Sequence, residues 1–61
     1  MEPLALDLAS AAAALSISLR QLQAHLRRGD LVAKYSGSKP LIPVAELVAF
    51  LDALPEEPRA L

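Results

Sequence analysis

The chain has 61 residues, carries a formal charge of −1 and contains no cysteine, which excludes a disulfide framework and a thiolate zinc site. A domain this small buries only about 60% of the surface its unfolded chain exposes; with too little chain to enclose a cleft, no paired carboxylates and no nucleophile beside a base, neither an enzyme nor a cofactor is expected. Apolar residues make up 54% of the sequence, mostly Ala and Leu with few aromatics, which suits close helix packing and points to a mainly α class.

Residues 1–5 read as an N-terminal arm, and one domain is expected over residues 6–54. The apolar run Leu8 to Leu15 is interrupted by Ser10 and preceded by Glu2 and Asp7, the pattern of neither a signal peptide nor a membrane span. The expected location is the cytoplasm, without a membrane partner. A first helix is predicted from Leu8 to about Leu15, with Asp7 accepting from the orphan backbone donors of its first turn. Leu8, Ala11, Ala12 and Leu15 recur on one face of it at i, i+3, i+4 and i+7.

A second helix start follows three residues later, where Ser18 and Gln21 form an S-x-x-Q capping box. Leu19, Leu22 and Leu26 then share its packing face, and Arg20, Gln23, Ala24 and Arg27 project from the opposite one. Gly29 ends this helix in a left-handed conformation, with Arg27 and Arg28 in the last turn, where cations suit the helix dipole. His25 borders the packing face and has no Cys, Asp or Glu at ligand spacing, so it reads as a packing residue and no metal site is expected.

Beyond Gly29 the period changes. Leu31, Ala33 and Tyr35 alternate with Val32, Lys34 and Ser36, the turn-forming run Ser36-Gly37-Ser38 follows, and Leu41-Ile42 supplies a short return strand. This predicts a hairpin whose edge is broken by Pro40 and Pro43. Tyr35 is expected to cover the thin core. A third helix is predicted to begin near Val44, with Pro43 at its first turn, to carry Leu47, Val48, Phe50, Leu51 and Leu54, and to stop at Pro55. Residues 55–61, with two acids and no periodicity, read as a flexible acidic tail.

The charge is polarised along the chain. Between Ser18 and Lys39, the cations Arg20, Arg27, Arg28, Lys34 and Lys39 face a single acid, Asp30, for a net +4. The remainder, Arg59 against Glu2, Asp7, Glu46, Asp52, Glu56 and Glu57, carries −5. Such asymmetry matters more to a polyanionic partner than the total does.

Two short helices joined at Ser16-Ile17, then a hairpin and a closing helix, are the order of a winged helix-turn-helix. The gapless run Leu6 to Leu31, LDLASAAAALSISLRQLQAHLRRGDL, resembles the excisionase and MerR-type winged helix-turn-helix family at Leu6, Asp7, Ala11-Ala12, Leu15, Ile17-Ser18, Gly29 and Leu31. Ala33, Gly37, Ile42, Leu47, Phe50 and Leu51 continue the match through the hairpin and closing helix. The chain departs from the family pattern at Ser10, Ser16, Gln21, Gln23 and Ala24.

The resemblance implies a three-helix domain with the hairpin as a wing between the second and third helices, binding double-stranded DNA with the second helix in the major groove. Arg20, Gln21 and Gln23 are then candidates for base edges, Arg to guanine and Gln to adenine, with Ala24 beside them. Arg27, Arg28, Lys34 and Lys39 are candidate phosphate contacts, Ser18 donates from the helix start, and the small tip Ser36-Gly37-Ser38 allows close approach to the groove. With only Lys34 and Lys39 on the wing, one copy is expected to bind weakly and several copies to associate side by side on DNA.

Because the chain ends where MerR-type regulators continue into a dimerising or effector segment, an excisionase that steers an integrase partner toward excision is the expected role. A small transcriptional regulator of the same fold is the alternative. A protein-interaction module presenting Leu4, Leu54 and Leu61 is the reading from another class.

Overall fold

The computed structural model describes residues 3–58. Strand β1 (Ala5–Leu6) precedes helices α1 (Leu8–Leu15) and α2 (Leu19–Arg28), which are followed by strands β2 (Lys34–Ser36) and β3 (Lys39–Pro43) and by helix α3 (Val44–Ala53). The three strands form one antiparallel sheet in the order β1-β3-β2. The fold is therefore α+β rather than mainly α.

Both helix starts follow from side-chain capping. Asp7 Oδ1 accepts from the Ser10 N–H at 2.7 Å. At α2 the Ser18 hydroxyl oxygen accepts from the Gln21 N–H at 3.1 Å while Gln21 Oε1 accepts from the Ser18 N–H at 3.0 Å, the reciprocal box that satisfies two orphan donors. Both helices end in the same doubly bonded left-handed turn. For α1, Ser16 at φ 60° donates to Ala13 at 3.1 Å and Ile17 to Ala12 at 3.0 Å. For α2, Gly29 at φ 84° donates to Leu26 at 3.2 Å and Asp30 to His25 at 3.0 Å. The α1–α2 connection is thus a tight reversal in which a serine occupies a conformation that glycine adopts without a Cβ penalty.

The hairpin register pairs Ser36 with Lys39, Tyr35 with Pro40 and Lys34 with Leu41 around the two-residue loop Gly37-Ser38. Gly37 at φ 65° is the one loop residue with positive φ, the sign pattern of a type II′ turn with glycine first. Antiparallel pairs alternate between hydrogen-bonded and non-bonded, starting bonded at the turn. Pro40 therefore falls at a non-bonded position, where its missing N–H costs β2 nothing. Carried on, the register would set Pro43 opposite Val32 at a bonded position, where proline has no N–H to donate and the ladder stops. That is why β2 is only Lys34–Ser36 and the alternating stretch before it is not a strand.

On its other side β3 pairs with β1, Ala5 with Pro43 and Leu6 with Ile42. The Val44 N–H, an orphan donor at the start of α3, donates to the Leu4 carbonyl at 2.8 Å. The segment read as an arm thus closes the sheet and caps α3 from residue 4 onward. At the other end of α3, Leu54 is extended at ψ 145° ahead of Pro55, the geometry a following proline imposes. Residues 55–58 form neither helix nor strand.

The core contains Ala11, Ala12, Leu22, Leu31, Ile42, Leu47 and Phe50, flanked by the partly buried Leu6, Leu8, Leu15, Ile17, Leu26 and Ala33. Two adjacent alanines let α1 approach both α2 and β3 closely, and Leu22 and Ile42 fill the space between them, each fully buried. Leu19 does not join this face as expected and is exposed. It is the first residue of α2, and a helical side chain leans toward the N-terminus, so it projects past the start of the helix. Val48, Leu51 and Leu54 are also exposed, because α3 turns only Leu47 and Phe50 fully inward. Tyr35 is 68% exposed and does not cover the core, since all of β2 extends past it toward the hairpin tip.

Candidate nucleic-acid interface

The basic residues of the middle segment fall on two elements. On α2, Arg20, Gln23 and Arg27 are exposed and stand at i, i+3 and i+7, one stripe down the side opposite buried Leu22. At 1.5 Å per residue the stripe is about 10.5 Å long, the length of about three base steps of duplex DNA. Ala24 lies half-buried beside it, with no side chain to obstruct a close approach. The helix is rigidly ended on both sides, so these three side chains leave a fixed backbone.

Gln21 is exposed, but its Oε1 is committed to the Ser18 N–H. A bidentate pair with adenine uses both ends of the amide, so Gln21 can make one only by opening the capping box. Its role in this geometry is structural, which leaves Arg20 and Gln23 as the base-edge candidates. Ser18 keeps its hydroxyl proton for donation while its oxygen accepts from Gln21.

The second group sits on the hairpin, where Lys34, Ser36, Gly37, Ser38 and Lys39 are all exposed. Lys39 lies near the start of α1. The Asp7 carboxyl is held below its usual value of 3.8 by the backbone and side-chain hydrogen bonds with Ser10 and, to a smaller extent, by the charge of Lys39. Among the described residues no hydrogen bond or ion pair joins α2 to the hairpin, so the two groups are positioned independently through the core.

Arg28 is exposed but not free. Its Nε and Nη2 lie 3.3 and 3.2 Å from Asp30 Oδ2, and Nη2 lies 2.8 Å from His25 Nδ1. His25 Nδ1 is also 2.8 Å from the same carboxylate oxygen. The His25 ring meets the Phe50 ring in a T-shaped contact, centroids 4.8 Å apart. The packing role expected of His25 holds, and a polar one accompanies it. Asp30 is the acid that the spacing argument passed over, because the left-handed turn at Gly29 folds it back under α2; a Gly-Asp pair directly after a helix ending in His and Arg is the signal that locates it. The cluster borders an open cleft completed by Glu46, Ala49, Phe50 and Leu54.

No helix among the described residues is long and apolar enough to cross a membrane. Comparison with protein-family models, with curated proteins and with solved structures finds no match to this chain.

Proposed function

We propose that the chain is a DNA-binding protein of the winged helix-turn-helix type, with α2 as the recognition helix and the β2–β3 hairpin as the wing on the adjacent backbone. The observation that carries this reading is the exposed Arg20, Gln23 and Arg27 stripe, on a helix fixed at one end by a capping box and at the other by a glycine turn. Arg20 and Gln23 carry the chemistry to read guanine and adenine edges in the major groove, and Arg27, Lys34 and Lys39 suit phosphates. The charge polarised along the sequence, with +4 between Ser18 and Lys39, favours a polyanionic partner for this segment.

Within that class the proposed role is an excisionase, a small architectural factor that binds side by side on DNA and directs an integrase toward excision. It rests on the family resemblance of Leu6 to Leu31 and of the hairpin and closing helix. A protein-interaction module is the second reading, favoured by the exposure of Leu4, Val48, Leu51 and Leu54; Leu61, part of that surface in the sequence, lies outside the described residues.

A gel-shift titration on duplexes from the flanks of its own gene, at 50 and 200 mM salt (on the order of the range over which phosphate contacts are commonly compared), tests the proposal. Each phosphate contact adds about 0.9 to the salt slope, so three contacts through Arg27, Lys34 and Lys39 weaken binding by about 40-fold between those salts. Stepwise shifts with that dependence support a weak binder acting in several copies. The absence of any shift at low salt overturns the reading and transfers it to the protein-interaction module.

A further inference from the structure

His25 Nδ1 has two neighbours at 2.8 Å, Asp30 Oδ2 and Arg28 Nη2. A single ring nitrogen cannot satisfy both. Protonated, it donates to the carboxylate; bare, it accepts from the guanidinium. With the neutral ring's proton on Nδ1 and donated to Asp30, Arg28 keeps the carboxylate oxygen as its acceptor; with that proton on Nε2, the ring nitrogen is a second one. Once the ring carries a proton on both nitrogens, whichever tautomer preceded it, Arg28 faces a second cation at the same short distance and shares Asp30 with it.

We infer that His25 is a proton-operated latch on Arg28, holding the guanidinium against the protein when the ring is neutral and releasing it to a DNA phosphate when the ring is charged. This deepens the DNA-binding proposal and rests on it. Histidine is the side chain whose charge ordinarily changes between about pH 5 and 8, so acidification adds one phosphate contact. The geometry supports a latch rather than a passive contact. His25 is 22% exposed, pinned by Phe50, whereas Arg28 is 63% exposed and able to swing outward.

Asp30 remains an anion throughout. Its carboxyl is held below 3.8 first by the hydrogen bond from His25 and then by Arg28. The other titratable group facing this cleft is Glu46 on α3, and the apolar wall behind the ring is Phe50.

The test has two arms. Without DNA, NMR follows the Arg28 Nε–H and the His25 ring across about pH 5 to 8; the latch predicts that the Arg28 signal moves with the His25 titration, and an Arg28 signal indifferent to it overturns the latch whether or not the protein binds DNA. With DNA, the salt slope is measured at both ends of that range. The latch predicts a slope steeper by about 0.9 at the acid end, about 3.5-fold more loss of affinity for a fourfold rise in salt. His25→Gln removes the change. Arg28→Gln, an exposed substitution that leaves His25 titrating, removes it as well, and a steepening that survives Arg28→Gln overturns the latch by assigning it to the histidine charge alone. Persistence in Glu46→Gln supports His25 as the sensor, and loss there overturns it. If no variant binds duplex at either pH while Arg28 still follows His25, the DNA-binding reading fails and the latch itself stands.

Discussion

Leu22→Ala is the substitution that most severely tests the packing that positions α2. Leu22 is fully buried, at 0% solvent exposure, and Ala11 and Ala12, which share its core cluster, are too small to refill the space. Cutting its isobutyl group back to methyl costs the transfer of three carbons plus the cavity, about 3 kcal/mol. A 61-residue domain has a total stability of about 3–9 kcal/mol at the usual per-residue values, so this one change consumes a third of it or more. Leu51→Ala is the matched control, since Leu51 is 58% exposed and its loss falls within about 0.5 kcal/mol. Urea unfolding followed by far-UV circular dichroism measures both; with a slope of about 1 kcal/mol/M, Leu22→Ala lowers the midpoint by about 3 M. Equal costs for the two leucines would refute the packing described, because burial would then not distinguish them.

Ser16→Gly relieves a serine at φ 60° and is expected to stabilise the fold by about 1 kcal/mol, seen as a higher thermal midpoint; a lower midpoint contradicts the left-handed turn. Ser18→Ala leaves the Gln21 N–H without its acceptor and is expected to cost about 1 kcal/mol in the same assay. The carboxyl of Asp7 is lowered in the folded chain from 3.8 by its Ser10 hydrogen bonds. Its contribution is therefore present above the unfolded value and disappears as pH falls through the folded one. Acid unfolding should accordingly be shallower in Asp7→Asn than in the parent chain, and identical curves would remove Asp7 from the account.

The helices and their ends were legible in the sequence because each boundary is a local event. Asp7, the Ser18 and Gln21 pair, Gly29 and Pro55 act within a few residues of themselves. The hairpin was legible from Gly37, but its length was not, since the ladder stops where Pro43 would have to donate across to Val32, a matter of register. Strand β1 has two residues, too few for any periodicity, and exists because β3 offers it an edge. The exposure of Leu19 follows from its place at the very start of α2, and that of Tyr35 from a strand exposed along its whole length, neither of which the apolar spacing encodes. In the candidate interface the stripe Arg20, Gln23 and Arg27 follows from helical spacing alone. The bond that occupies Gln21 was already implied by the capping box, whereas the hold of Asp30 on Arg28 requires the left-handed turn that ends α2.

The most direct test of the central claim replaces Arg20 and Gln23 with alanine, singly and together, and compares affinity for the target duplex with affinity for an unrelated one at fixed salt, after circular dichroism has shown the helices intact. Neither side chain supports the core, and each bidentate base contact contributes about 1–3 kcal/mol of discrimination. The account predicts that preference for the target falls by about 5- to 160-fold per substitution, while the salt-dependent binding through Arg27, Lys34 and Lys39 survives. Unchanged discrimination by an intact double variant would contradict α2 as the recognition helix.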